Sequence, residues 1–403
     1  MVQAYSYESD SNNFSSELIQ LQKQLVISLH SLKGIGWHAI NKVLRHQLWA
    51  KNQWSEQDLI FAGLRSDQIS VIVTAFRKKD WRETIHLSDD LLNEGVSILT
   101  PFDPLYPTSL LQIAQPPWML YIKGRVELLQ RPAVAIVGTR VPTMYGRHIA
   151  RNFSQKLSSE GLTVVSGLAR GVDAEAHKAA LSEAGATIAV LPTPINKCYP
   201  PEHHSLYRAI VHSGLIVTET PIGEHLHRGQ FHQRNRIIAG LTQATIIIES
   251  GDSGGSLITA KHALEMNREV FAVPGPIVSA KSVGTNELIK QGAARLITEI
   301  DQIYKEIPWL RDRVEQFVQK QSCNVEGMGR TVNNDNPETI TSTQAVLTNQ
   351  EVEILQLLAE KPLTFDEMMS HLAIPFGHLN ILLLNLCIKQ KIIQQPDSIY
   401  MLV

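Results

Sequence analysis

The chain has 403 residues, of which 43% are hydrophobic and 19% charged, and a formal net charge of −2. That length predicts two or three domains. The near-zero charge excludes a globally basic nucleic-acid binder and leaves that role to locally clustered cations. Cys198, Cys323 and Cys387 lie far apart with no CxxC or Cys/His spacing, which argues against a zinc site and a disulfide framework.

Residues 1–20 are polar and acidic and read as a flexible tail rather than a signal peptide. No apolar run reaches the roughly 18 residues needed to span a bilayer, so a cytoplasmic protein is expected. Residues 21–82 predict a small helical domain. Within it, Leu32-Lys33-Gly34-Ile35-Gly36 interrupts one helical pattern just before another, where glycine takes the positive φ of a tight turn. The spelling suits a helix-hairpin-helix (SAM-like) unit, whose turn offers backbone N–H groups to a phosphate. Simple helix packing accounts for the same pentapeptide.

Over 83–308 the pattern becomes apolar strands alternating with amphipathic helices. Strands are predicted at Val134–Val137, Thr163–Val165, Thr187–Leu191, Leu215–Val217, Thr245–Ile248 and Val270–Val273, each rich in apolar and β-branched residues, as buried parallel strands are. Ile149, Phe153 and Leu157 recur at helical spacing. The expected class is α/β: an extended Rossmann-like, doubly wound, mostly parallel sheet with its site at the carboxyl ends of the strands.

Residues 309–343 read as a linker and 344–403 as a winged-helix domain. Thr348–Glu351 and Thr364–Glu367 spell capping boxes. A third helix over about 376–391 is followed by a turn at Pro396-Asp397-Ser398 within a hairpin. That helix carries Leu379, Ile381, Leu382, Leu383, Leu384 and Leu386, with Lys389 and Lys391 only at its end. It suits packing or a protein contact better than reading a DNA groove.

The chemistry concentrates at the strand ends. Gly138-Thr139-Arg140 follows the first predicted strand and precedes a helix, a place that favours an anion, yet the dinucleotide fingerprint G-x-G-x-x-G is absent. Residues 128–159 contain no carboxylate but hold Arg131, Arg140, Arg147, Arg151 and Lys156. Residues 225–248 again lack acids and hold Arg228, Arg234, Arg236, His225, His227 and His232. Phe231 sits among these cations, and a ring flanked by positive charge can stack a base while its neighbours hold the backbone. Glycine-containing corners at Ser166–Gly171, Gly251–Ser256 and Pro274–Pro276 offer further hydroxyls and N–H groups. The expected DNA-binding set is Gly138, Thr139, Arg140, Ser166, Gly167, Arg170, Arg228, Phe231, Arg234, Asn235, Arg236, Gly255 and Ser256. Asp173 and His177, spaced i, i+4, either bond each other to hold a corner or ligate a metal whose third ligand is missing. Glu219 and Glu249 end strands as acid–base candidates or as structural acceptors.

Taken together, Val134–Arg140, Ser166–Asp173 with His177, Arg234-Asn-Arg-Ile-Ile-Ala-Gly240, Ser256–Ala260, Ala272–Gly275, and Asn286–Ile289 with Gly292-Ala293 closely resemble the DNA-processing protein A family (DprA, also called Smf). The resemblance runs densely from about Gly95 to Ile297. It implies a homodimer that binds incoming single-stranded DNA during natural transformation, protects it and loads RecA recombinase. It also implies phosphate contacts at Gly138, Thr139, Arg140 and Arg228, with Phe231 beside them, and neither catalytic residue nor cofactor. The chain departs from the family pattern at Pro192-Thr193-Pro194, Asn196, Gly254 and His232. The rival reading is a nucleotide N-glycosidic-bond hydrolase of the related Rossmann group, using Glu219 or Glu249. Its Gly-Gly-x-Gly-Thr-x-x-Glu loop is absent here.

Overall fold

A computed structural model describes residues 12–51, 54–77, 81, 95–315 and 349–361. Beyond these it describes 363–364, 367–368, 372, 379, 383, 386, 391–395 and 399–402. The chain divides into two compact units, Met1–Gly329 and Arg330–Val403.

The strands of the first unit are β1 Ser97–Leu99, β2 Leu120–Gly124, β3 Ala133–Gly138, β4 Thr163–Ser166, β5 Thr187–Val190, β6 Leu215–Thr218, β7 Ala244–Ile248, β8 Glu269–Ala272 and β9 Arg295–Leu296. They form one nine-stranded sheet in the order β1-β2-β6-β5-β4-β3-β7-β8-β9. From β6 through β9 every pairing is parallel, and β2 and β1 extend the β6 edge antiparallel. The sequence patterns located β3 to β8 to within one residue at each end. They missed β1 and β2, short strands outside the repeating βα rhythm, and β9, which has only two residues.

Counting β3 as the first parallel strand, β5-β4-β3-β7-β8 is the doubly wound order, whose switch point lies between β3 and β7. Every residue of β4, β5, β6 and β7 is buried, the reason these strands read as unbroken apolar runs. Alternate side chains of β3 serve opposite layers. Val134 and Ile136 pack with Ala150, Phe153 and Leu157 of helix Met144–Ser159. Ala135 and Val137 share a core with Ile237, Ile238 and Leu241 of helix Arg228–Leu241.

Helices Asn12–His30, Trp37–Arg45, Glu56–Phe61 and Ser66–Phe76 share an apolar cluster with Met119, Tyr121, Leu191 and Ile216. Trp37 stacks on Trp118 with ring centroids 5.7 Å apart and donates its indole N–H to the Pro116 carbonyl at 2.7 Å. Gly34 has φ +89° in the turn where the sequence requires it. Helix Asn12–His30 begins inside the segment read as a tail. Its buried Leu25, Val26 and Leu29 form an apolar stripe that anchors the helix. Residues 1–11 of that tail lie outside the described residues, as do 316–343 of the expected linker.

In the second unit, helix Asn349–Glu360 accompanies a three-stranded antiparallel sheet. Its strands are β10 Leu363–Thr364, β11 Ile392–Gln395 and β12 Ile399–Leu402, in the order β10-β12-β11. Thr364 and Glu367 make the reciprocal capping-box bonds that their spelling predicts, 2.7 Å from the Thr364 N–H and 3.3 Å from the Glu367 N–H. Leu379, Leu383 and Leu386 are buried with Ile354, Leu358 and Tyr400. Most of 376–391 and the turn 396–398 lie outside the described residues, as do Thr348, Cys323 and Cys387. Among the described residues no helix is long and apolar enough to cross a membrane.

Candidate functional site

The site is built around the corner that follows β4. The chain leaves Ser166 and turns through Gly167–Gly171 into helix Val172–Ala180. Asp173 accepts from the Gly167 N–H at 3.1 Å and the Ala169 N–H at 3.4 Å. His177 Nε2 accepts from the Leu168 N–H at 3.2 Å. The Thr187 hydroxyl gives its proton to the Val164 carbonyl at 2.6 Å, so His177 Nδ1, 2.7 Å from that hydroxyl, carries the ring proton and donates. The expected Asp173–His177 bond is therefore corrected: each side chain fastens the corner's backbone separately, because buried N–H groups need acceptors. Among the described residues, no group of three or more His, Cys, Asp or Glu is placed to hold a metal.

Burial, with repulsion from nearby Arg234, pulls the His177 imidazole down to about 3 from 6.5. Below about 6.5 the unfolded chain binds a proton that the folded one refuses. His177 stability is therefore complete above that pH and is lost as pH falls towards 3, by about 1.4 kcal/mol per pH unit. Urea midpoints measured between pH 7 and pH 5 should fall accordingly. His177→Gln should flatten the slope, and an unchanged slope would place the acid sensitivity elsewhere.

Arg234 lies beneath the corner, 5% exposed, its guanidinium donating to the Val190 carbonyl. Burial lowers it to about 10, against the pull of Asp173, so it remains cationic at neutral pH. A Cβ on Gly167 would fall 2.1 Å from Arg234 Nη1, and only glycine admits the guanidinium there. Gly171, at φ +79°, lets the corner close onto the 139–140 loop. A Cβ there would meet the Thr139 carbonyl oxygen at 2.4 Å.

These contacts open a recess at the carboxyl ends of β3, β4 and β5. Arg140, Arg170 and Arg234 give it a cationic side, while Ala169, Pro192, Tyr199, Pro200 and Phe231 give it an apolar one, with Gly167 between. Phe231, half-buried on the first turn of its helix, has the Arg140 guanidinium over its ring 5.4 Å from the centroid. Tyr199 meets it edge-on, with centroids 5.5 Å apart. Arg170 pairs with Glu202 at the rim. A cationic side facing aromatic rings matches the two halves of a nucleotide, phosphate and base.

Of the thirteen expected residues, Arg140, Gly167, Arg170, Phe231 and Arg234 come together here. Arg228 stands exposed one helical turn before Phe231. One turn after it, Asn235 donates to the Gly255 carbonyl at 3.3 Å, tying helix Gly255–Glu265 to the same edge. The others have framework duties. Gly138 packs against the Ile248 carbonyl, and the Thr139 N–H bonds to the Glu249 carbonyl at 2.8 Å. Ser166 donates to the Ile136 carbonyl at 2.6 Å, and Ser256 is buried against Ser250 at 2.9 Å. Arg236 pairs with Glu219 at 2.5 Å and bonds the Gln115 carbonyl at 2.8 Å.

The acid-free stretches are not acid-free in space. Arg151 pairs with Glu175 and Lys156 with Asp301, while Arg131 is buried against the Ala184 carbonyl. The switch point itself is occupied by the protein. Glu249, 4% exposed and at φ +51°, accepts from the Thr143 N–H at 2.8 Å and from the Thr143 hydroxyl. The helix N-terminus that seemed open to a phosphate thus already holds a carboxylate. Tyr199 and Pro200 escaped the sequence reading, because a loop aromatic carries no periodicity and its partner Phe231 belongs to the next βα unit.

Residues 97–308 match the family described as DNA recombination-mediator protein A. Protein Smf of Synechocystis is 32% identical over 381 residues, 92% of this chain and 96% of that protein. The chain belongs to this family, that of the DprA and Smf proteins. Among solved structures, the DprA of Streptococcus pneumoniae is 34% identical with a TM-score of 0.60, over 72% of this chain and 96% of that one. The DprA of Helicobacter pylori, whose structure concerns its single-stranded DNA binding mode, is 32% identical. It covers 54% of this chain and 97% of its own at a TM-score of 0.49.

Proposed function

We propose that this DprA-family chain binds single-stranded DNA at the recess, as a homodimer that protects incoming DNA in natural transformation and passes it to RecA recombinase in the cytoplasm. The observation that carries the reading is the Arg140 guanidinium held over the half-buried Phe231 ring, with the buried cation of Arg234 lining the same recess. Phosphates are taken by Arg140, Arg170 and Arg228, and a base by Phe231. Gly138, Thr139, Ser166, Arg236 and Ser256 act as framework, with Asn235 and Gly255 extending the edge. The helical segment 21–82, as a helix-hairpin-helix (SAM-like) unit, and the segment 344–403, as a winged helix, are accessories to the DNA-binding segment 83–308. Stacking requires a base free of its partner strand, which favours single strands over duplex. Gel shifts with matched single- and double-stranded oligonucleotides test this. Salt-sensitive binding to the single strand, with far weaker binding to duplex, is expected, and equal affinity for both would refute it.

The chain acts without turnover. Both carboxylates available to the hydrolase reading are engaged, Glu249 by Thr143 and Glu219 by Arg236. Incubation with AMP should release neither adenine nor ribose phosphate. Release that Glu249→Ala abolishes would make this chain an enzyme.

A further inference from the structure

The loop after β5 brings to the recess an aromatic that the DNA reading leaves without a role. Tyr199 is half-buried and meets Phe231 edge-on, with centroids 5.5 Å apart and planes at 69°. Its loop is anchored on both sides. Before it, the Thr193 hydroxyl donates to the Lys197 carbonyl at 2.6 Å, and the Tyr207 hydroxyl to the Ile195 carbonyl at 2.5 Å. After it, His203 Nδ1 lies 2.9 Å from the Leu168 carbonyl, which binds the loop to the β4 corner. Pro192 and Pro200 line the recess beside it, and proline fixes φ where most residues leave it free. The Tyr199 ring is therefore held by a braced loop, whereas Phe231 sits on the first turn of a helix that follows a run of exposed residues, 222–227.

From this arrangement we propose that Tyr199 is the positioning residue of the nucleobase site. Its ring fixes the orientation in which Phe231 meets a base, while the arginines hold the phosphates. Edge-to-face pairs prefer a defined mutual geometry, so a ring braced by a second ring presents its face with less orientational entropy to lose. The role rests on the single-stranded DNA reading and concerns bases alone. Loss of Tyr199 therefore affects only ligands that carry bases.

The test uses the full chain and two oligonucleotides of equal length, oligo-dT and an abasic strand with the same sugar–phosphate backbone. Tyr199→Leu should weaken oligo-dT binding by about three- to tenfold, the scale of an aromatic pair, and leave abasic binding unchanged. Tyr199→Phe, which keeps the ring, should restore oligo-dT binding. In a Phe231→Ala background, Tyr199→Leu should add no further loss. Equal weakening on both strands would make Tyr199 merely structural. Unaltered oligo-dT binding by Tyr199→Leu, or losses that add with Phe231→Ala, would remove its positioning role. Failure of the unaltered protein to bind either strand would remove the proposed function itself, an outcome distinct from the others.

Discussion

Gly167→Ala is expected to destabilise the α/β unit by about 3 kcal/mol or more, although it adds only one methyl group. The added carbon would stand 2.1, 2.4 and 2.5 Å from Nη1, Cζ and Nη2 of Arg234. An exposed arginine would swing aside. This one is 5% exposed and bonded to the Val190 carbonyl. Overpacking alone costs about 1–3 kcal/mol. Displacing the guanidinium also breaks its bond to the Val190 carbonyl and moves the nearby cation that opposes the burial of Asp173, which adds to that cost. At about 2–4 °C per kcal/mol for domains of 150–250 residues, calorimetry should record a fall in Tm of roughly 6 °C or more. The origin of the effect can be isolated in an Arg234→Ala background, where the methyl group has room and should cost little. If Gly167→Ala melts with the unaltered protein, the floor of the recess is soft and Arg234 cannot be its fixed charge.

Phe231→Ala should cost about 1–3 kcal/mol in single-stranded DNA affinity, the scale of one stacked base. Arg140→Ala should also weaken binding and flatten the salt dependence by about 0.7 in slope for one lost phosphate contact. Had the two side chains been independent, as their separation in sequence suggests, Phe231→Ala would leave the salt slope unchanged. The structure couples them: the guanidinium rests over the ring, 5.4 Å from its centroid. Removing the ring frees Arg140 and so should flatten the slope too, by less than Arg140→Ala does. A double-mutant cycle should give a coupling of about 0.5–1 kcal/mol, and Phe231→Tyr should retain most binding. Circular dichroism is needed alongside, since Phe231 is half-buried. Strictly additive losses with an unchanged slope for Phe231→Ala would mean that the two side chains serve different parts of the DNA.

The sequence by itself determined the α/β class, the six inner strands and the edge of the sheet on which the candidate site lies. Those features are local: a strand buried on both faces must be apolar throughout, and a glycine corner follows where such a strand ends. It also determined which residues bring charge and aromatic surface to that edge, above all Arg140, Phe231 and Arg234. Only the tertiary structure decided what each of them touches. Arg151, Lys156 and Arg236 read as free cations because Glu175, Asp301 and Glu219 lie elsewhere in the chain. Arg234 read as a surface phosphate ligand but is buried. The helix N-terminus after Arg140 read as open but is filled by Glu249, and Tyr199 gave no signal until the fold set it against Phe231. Periodicity records which face of an element is buried, because that is fixed by neighbours three or four residues away. Charge pairing and ring contact are fixed by residues that meet only when separate βα units pack together, and no local pattern carries that information.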